Sequence, residues 1–266
     1  MKYFVFNHHN FWQWPPSNSD LMEAEVVFMW ADWPFKDRVR QLQGLGKKVV
    51  VYEHGFGALW DYELNKREPC ANGFISLGEA SKESLIRKGV EPSKILVTGN
   101  PVFDDIEKST HGKKRALYVA LHWVGDRTEY NQVVYDQLRE AYPDLEWTVK
   151  LIDKSGDILA ERKWFNKVES QDILADIKTK LPSYDLVFTP KPSTFESFAR
   201  LMGIPVYVVD EKETFRADNE PRSLPMNNTY LKIGEDLPDI KEIDMTEHIK
   251  RPSTDIEEIV EWAIKL

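Results

Sequence analysis

The sequence predicts an α/β protein of two Rossmann-like, parallel-sheet domains facing one another across a cleft. Three observations predict it. Short runs of β-branched and aromatic residues alternate with helical patterns, the rhythm of βαβ units. Polar or glycine-containing turns close most of those runs. The rhythm breaks once, at the polar stretch "IEKSTHGKK" (106–114), and then resumes. The division this predicts is 1–107 and 108–266.

Taken in order, "KYFVF" (2–6) reads as the first strand and ends at Asn7-His8-His9. "AEVVFMW" (24–30) is the second, and "DRVRQLQGLG" (37–46) is a helix closed by glycine. "KKVVVYE" (47–53) and "GFISLG" (73–78) are the third and fourth strands. "EASKESLIRKGV" (79–90) is a helix, and "KILVTG" (94–99) the fifth strand. In the second half, "ALYVALHW" (116–123), "EWTVKLI" (146–152), "DLVFT" (185–189) and "IPVYVVD" (204–210) read as strands. Helical spacing falls on 131–142, 170–181 and 193–203. Residues 211–228 are polar and proline-bearing and read as a long loop. "TDIEEIVEWAIKL" (254–266) is a final amphipathic helix.

Composition bounds the function. The chain has 266 residues, 42% hydrophobic and 30% charged, an ordinary balance for a soluble globular protein. No apolar run approaches the roughly 20 residues that span a bilayer. The start, "MKYFVFNHHNFW", lacks a small-residue cleavage site and reads as a strand, not a signal peptide. The single cysteine, Cys70, rules out an intrachain disulfide and a cysteine-rich metal cage, so a reducing, cytoplasmic setting is expected.

The net charge of −9 argues against a general nucleic-acid binder. It is unevenly spread: residues 1–110 carry 13 Lys or Arg against 15 Asp or Glu, the remainder 22 against 29. A local basic patch in the first half is compatible with that. Five of the nine tryptophans (Trp12, Trp14, Trp30, Trp33 and Trp60) also fall there. Packing is the plain explanation for any one of them. As a group they suggest a surface that stacks a sugar face or a base.

The chain has neither a G-x-G-x-x-G turn after a strand nor a G-x-x-x-x-G-K-[ST] loop, which weakens dehydrogenase and P-loop readings. It has no Asp-x-Asp and no cysteine cluster for zinc. The remaining candidates are polar residues at strand ends. His8 and His9 follow the first strand, and Glu53-His54-Gly55 follow the third. In the second half His122 follows one strand with Arg127 in the same loop, and Lys150 lies in the next. Then comes Thr189-Pro190-Lys191-Pro192-Ser193-Thr194-Phe195-Glu196, a strand end, a proline-rich turn and a helix start.

Amides at a helix start favour phosphate. Ser193 and Thr194 add hydroxyl donors, and Glu196 suits a ribose diol. The same Ser-x-x-Glu spacing is that of a capping box, and the pattern alone does not separate the two. His54 reads either as a satisfied structural imidazole or as a base for an alcohol proton. The glycines beside it let a ligand approach the backbone. Glu53 is the candidate to orient it, although side chains alternate along a strand.

In order along the chain, "YEHGFG", "GFISLGEASKESLIRKGVEPSKILVTGNPVFDDI" and "STFESFARLMGIPVYVVDE" resemble the GT-B superfamily. The likeness is to CDP-glycerol glycerophosphotransferases, polysialyltransferase-like enzymes and non-hydrolysing UDP-N-acetylglucosamine 2-epimerases. It covers about a third of the chain. The resemblance implies a compact GT-B-like fold, with an acceptor domain (1–107), a nucleotide-donor domain (108–266) and a last helix that crosses back to the first. It implies metal-independent transfer with no cofactor, a UDP-linked sugar being the expected substrate. Ser193, Thr194 and Glu196 fall where these families hold phosphate and ribose, and His122 near the diphosphate. His54 falls at the turn that faces the acceptor.

Two departures stand out. The epimerases' His-Arg-x-Glu-Asn cluster is here "LHWVGDRTEYN", with Arg127 displaced. The Lys-x-His-Pro of glycerophosphotransferase-like chains is "KLID", which keeps Lys150 and loses the histidine.

The expectation is therefore a glycosyltransferase. Its catalytic pair would be His54 and Glu53. Its donor site would hold Ser193, Thr194, Glu196, His122, Arg127, Lys150 and Lys191. Its acceptor side would hold His8, His9, Trp12 and Trp60. The acceptor would be a glycan, a lipid-linked sugar or a hydroxylated DNA base, with no membrane span. The alternatives are a sugar-nucleotide 2-epimerase and a non-catalytic nucleotide-binding protein.

Overall fold

The computed structural model describes residues 1–6, 16–53, 59, 62, 66–108, 112–120, 127–150, 173–190, 194–209, 229–238, 240 and 244–266. The chain forms two compact units. Unit 1 is Met1–Asp105 with Asp244–Leu266, and unit 2 is Ile106–Ile243. Residues 244–266, which the sequence rhythm groups with the second half, lie in unit 1.

The strands are β1 (Tyr3–Val5), β2 (Val26–Met29), β3 (Lys48–Tyr52), β4 (Gly73–Ser76), β5 (Ile95–Val97), β6 (Arg115–Val119), β7 (Glu146–Lys150), β8 (Leu186–Thr189), β9 (Val206–Val209) and β10 (Thr229–Leu231). The helices are α1 (Lys36–Gly44), α2 (Glu79–Arg87), α3 (Arg127–Ala141), α4 (Ile173–Lys180), α5 (Thr194–Leu201) and α6 (Ile256–Lys265). The order matches the sequence reading except for β10. Thr229-Tyr230-Leu231 is too short to show a two-residue period.

Both sheets are parallel throughout. In unit 1 the order is β1-β2-β3-β4-β5. In unit 2 it is β10-β9-β8-β6-β7. Strands covered on both faces need continuous apolar sequence. That is why Val26–Met29, Gly73–Ser76, Leu186–Thr189 and Val206–Val209 are buried at every position. In unit 2 the core is aromatic: Tyr118, Tyr135 and Phe188 are fully buried, and Phe188 stacks on Tyr207 at 5.1 Å.

Unit 1 has a construction of its own. Its strands follow chain order, and right-handed connections that always step one way place their helices on one face. The amphipathic α6 supplies a further helix, packing on β2 and β3 through a buried stripe that includes Ile259, Val260 and Ala263.

The segment leading to α6 forms a strap across the ends of β4 and β5. Lys250 donates its amide to the Leu77 carbonyl at 2.7 Å, and Thr254 its amide to the Thr98 carbonyl at 2.8 Å. Ala80 donates to the Glu247 carbonyl at 2.9 Å. The strap explains two glycines in the segment "GFISLGEASKESLIRKGVEPSKILVTGNPVFDDI". A Cβ at Gly78 would overlap the His248 carbonyl, and one at Gly99 the Lys250 carbonyl; Gly99 also sits at φ +70°.

Candidate functional site

Open parallel sheets bind ligands outside the carboxyl ends of their strands, where the strand order reverses. The sheet of unit 1 has no reversal. The sheet of unit 2 has one: the chain runs from β6 to β7 on one side, then crosses to β8 on the other side of β6. The crevice therefore lies at the carboxyl ends of β6 and β8. The helices that follow these two strands open there, α3 at Arg127 and α5 at Thr194. Their first amides and the positive ends of their dipoles favour an anion.

Three expected donor-side residues have their backbone at this edge. Arg127 opens α3, Thr194 opens α5, and Lys150 ends β7 in register with Val119 of β6. His122, Lys191 and Ser193 lie outside the described residues, as do His8, His9, Trp12, His54 and Trp60. A surface cavity of about 440 Å³, lined by residues including Tyr135, Arg139 and Trp147, sits at the α3–β7 turn instead. That is the amino edge of the sheet, away from the crevice.

Glu196 lies in the first turn of α5 and is held by Arg200 one turn later. Its Oε1 accepts from Arg200 Nε at 2.8 Å and from a second guanidinium nitrogen at 2.6 Å. The two side chains are 0% and 3% exposed, so the pair is sealed inside unit 2. Such a pair fixes geometry more than it adds stability. Next to it, Ser197 Oγ is buried with no hydrogen-bond partner among the described residues.

The corresponding helix start in unit 1 is filled from within. Glu53 Oε2 accepts the Leu77 amide at 2.8 Å, and Oε1 accepts the Ser81 hydroxyl at 2.9 Å. The Glu247 carbonyl takes the Ala80 amide. Glu53 thus ties the end of β3 to the start of α2.

One polar centre escaped the sequence reading. Asp32, fully buried after β2, accepts the Tyr62 hydroxyl on Oδ1 at 2.5 Å. Its Oδ2 accepts the amides of Cys70 at 2.6 Å and Ala71 at 2.8 Å. It anchors the long connection between β3 and β4, which carries His54 and Trp60. Burial, and then the Asp32 charge, push the Tyr62 hydroxyl well above its usual range. The same two causes push the Cys70 thiol up to about 12. The signal was present: an aspartate between two tryptophans directly after an apolar strand, "MWADW".

Fold and crevice together define a class: an α/β chain of two Rossmann-like, all-parallel units, the fold class that a resemblance to the GT-B superfamily implies. No family model matches the chain, and no curated protein matches it. Among solved structures it is similar to the UDP-GlcNAc 2-epimerase of Neisseria meningitidis bound to UDP-GlcNAc. That match has 16% identity over 70% of this chain and 59% of the other, with a TM-score of 0.48. It is similar to HepE of Anabaena in complex with UDP and glucose, at 14% identity over 80% of this chain and 66% of the other, TM-score 0.45. It is also similar to the wall teichoic acid polymerase TagF, at 15% identity over 70% and 53%, TM-score 0.41. The chain spans less than two thirds of the length of each. Among the described residues no helix is long and apolar enough to cross a membrane.

Proposed function

We propose that the chain is a nucleotide-sugar-dependent glycosyltransferase with its donor site in unit 2. One observation carries the assignment to unit 2. Two helices open at its switch point, whereas amides around the start of α2 in unit 1 are already taken by Glu53 and Glu247.

In this reading the α5 amides, Ser193 and Thr194 hold the donor diphosphate, with Lys191, Arg127 and Lys150 adding positive charge around it and His122 near it. Glu196, bound to Arg200, positions the start of α5. His54 takes the proton of an acceptor hydroxyl as its oxygen bonds to the anomeric carbon. The bond from that carbon to the diphosphate oxygen breaks, and the nucleotide leaves with the electron pair, stabilised by the helix-start amides rather than by a metal. Glu53 holds the root of the His54 turn. His8, His9, Trp12 and Trp60 form the acceptor side. A UDP-linked sugar is the first donor to test, with a glycan, a lipid-linked sugar or a hydroxylated DNA base as acceptor.

The test is thermal unfolding with UDP, CDP, CMP, GDP and ADP and their sugar conjugates. A ligand at about 100 times its Kd adds about 2.7 kcal/mol to the native state, a shift of several degrees. The expected result is a selective shift by one nucleotide, lost in Ser193→Ala/Thr194→Ala and kept in His54→Ala. Transfer to acceptor is lost in both variants. Isomerised sugar formed without any acceptor would replace the transferase by an epimerase. No shift with any nucleotide would overturn the donor site.

A further inference from the structure

The strap closes the ends of β4 and β5, where Lys250 and Thr254 bond to Leu77 and Thr98. The ends of β1 and β2 carry a different surface, built from α1 and the segment before β4. The Arg67 guanidinium lies 4.2 Å over the Trp33 ring, and the Arg38 guanidinium 4.3 Å over Phe6. Trp30 meets Phe35 edge-on at 5.7 Å. Trp30, Trp33 and Phe35 are half-buried, whereas Arg38, Arg40, Lys66 and Arg67 are exposed.

The local charge opposes that of the chain. Within 33–44 and 66–70, five cations (Lys36, Arg38, Arg40, Lys66, Arg67) stand against two acids, Asp37 and Glu68. Those acids pair within the group, Asp37 with Arg40 at 3.6 Å and Glu68 with Lys36 at 3.5 Å. With the buried Asp32 beside them counted as well, two positive charges remain in excess, in a protein of net charge −9.

We infer that this surface binds a single-stranded nucleic acid. Single strands are held by cations that track the phosphates and by aromatic faces on which bases stack. A guanidinium over an indole can still donate N–H groups to phosphate and stack on a base. A polyol phosphate brings the charge without a flat face to stack, so the half-exposed tryptophans favour the nucleic acid over it. The inference deepens the acceptor half of the proposed transfer, and it concerns binding alone. A failed nucleotide panel would remove the transfer and leave this surface standing.

The experiment is fluorescence anisotropy with labelled oligothymidylate of about 12 nucleotides, a length within the usual single-strand site range. Salt is varied from about 50 to 200 mM. Binding is expected to weaken steadily with salt. In Arg38→Ala/Arg67→Ala it should weaken by about tenfold or more, with the log–log slope smaller by about 1.4, or about 0.7 for each phosphate contact removed. Arg67→Lys keeps the charge and loses the planar guanidinium over Trp33, so a loss of about threefold is expected. Circular dichroism confirms that these exposed substitutions leave the fold intact. No binding at the lowest salt would overturn the inference, as would wild-type affinity in the double variant. Equal affinity for a polyol-phosphate polymer or heparin would replace the nucleic acid by polyanions in general.

Discussion

The carboxylate of Asp104 takes both the amide and the hydroxyl of Ser253, 149 residues further along the chain, at 3.0 and 2.6 Å. Arg251 adds a bond to the Asp104 carbonyl at 2.9 Å. These contacts hold the strap against the end of unit 1's own sheet, so α6 is a structural part of that unit. Asp104→Ala should lower stability by about 1–2 kcal/mol, the size of two lost hydrogen bonds. Gly99→Ala should cost more. The left-handed backbone alone costs about 1–2 kcal/mol for a residue with a Cβ, and that Cβ would also displace the Lys250 carbonyl. Urea unfolding measures both. A Gly99→Ala midpoint equal to wild type would sink this account of the strap.

Glu53 separates a positioning role from a charge role. Glutamine keeps the shape, its oxygen facing the Leu77 amide and its NH₂ facing the Ser81 hydroxyl, a group that can accept as well as donate. Glu53→Gln should therefore cost only about 1 kcal/mol, whereas Glu53→Leu strands the Leu77 amide and should cost about 2–3 kcal/mol. If Glu53 acts only by fixing the turn, donor turnover follows stability in both variants. A Glu53→Gln protein as stable as wild type but inactive would show that the charge itself is used.

The sheets were legible because strands buried on both faces must be written as unbroken apolar runs, and "VVFM" (26–29) and "VYVV" (206–209) are such runs. Strand order was not legible. Nothing in a run of valines says that β8 lies beside β6 rather than β7, so the switch point, and with it the meaning of Arg127 and Thr194, came only with the structure. Gly78 and Gly99 showed the opposite difficulty. Glycine in a turn signals close approach, but the sequence does not say what approaches, and here it is the strap. Glu53 was visible as a strand-end carboxylate. Its partners, Leu77 and Ser81, lie more than 20 positions away, beyond any local pattern.

The Asp32 cluster makes a chemical prediction through Cys70. A free cysteine titrates near about 8.5. Here burial and Asp32 hold the thiol up, while Lys36 and Arg40 pull the other way. In the native protein, alkylation should be slow at about pH 8 and still be climbing at about pH 10, because only the thiolate reacts. Asp32→Asn removes the charge and should speed the reaction at about pH 8. Tyr62→Phe keeps the charge and serves as the control for loosening of the loop. Equal acceleration in both variants would mean that exposure, not charge, governs the thiol.

The last prediction concerns acid. Asp185 Oδ1 accepts from an Arg115 guanidinium nitrogen and from the Gly112 amide, each at 2.9 Å. Its Oδ2 accepts the amides of Arg115 at 2.9 Å and Lys114 at 3.2 Å. The guanidinium first, with those amides, holds the carboxyl well below the usual carboxylate range against the opposing effect of burial. A carboxylate depressed on folding contributes stability that is present above its unfolded value, about 3.9, and is lost as pH falls through the folded one. The Arg115 side chain is half exposed, so its charge is screened and the fixed amides matter more. Asp185→Asn should therefore unfold more easily by about 1–3 kcal/mol at about pH 7. The gap to wild type should narrow as pH drops below about 4, where the unfolded chain takes up the proton that the native carboxylate still excludes. Urea midpoints for the two proteins at each pH decide it, and curves that stay parallel down to about pH 2 would place the acid sensitivity of unit 2 in another group.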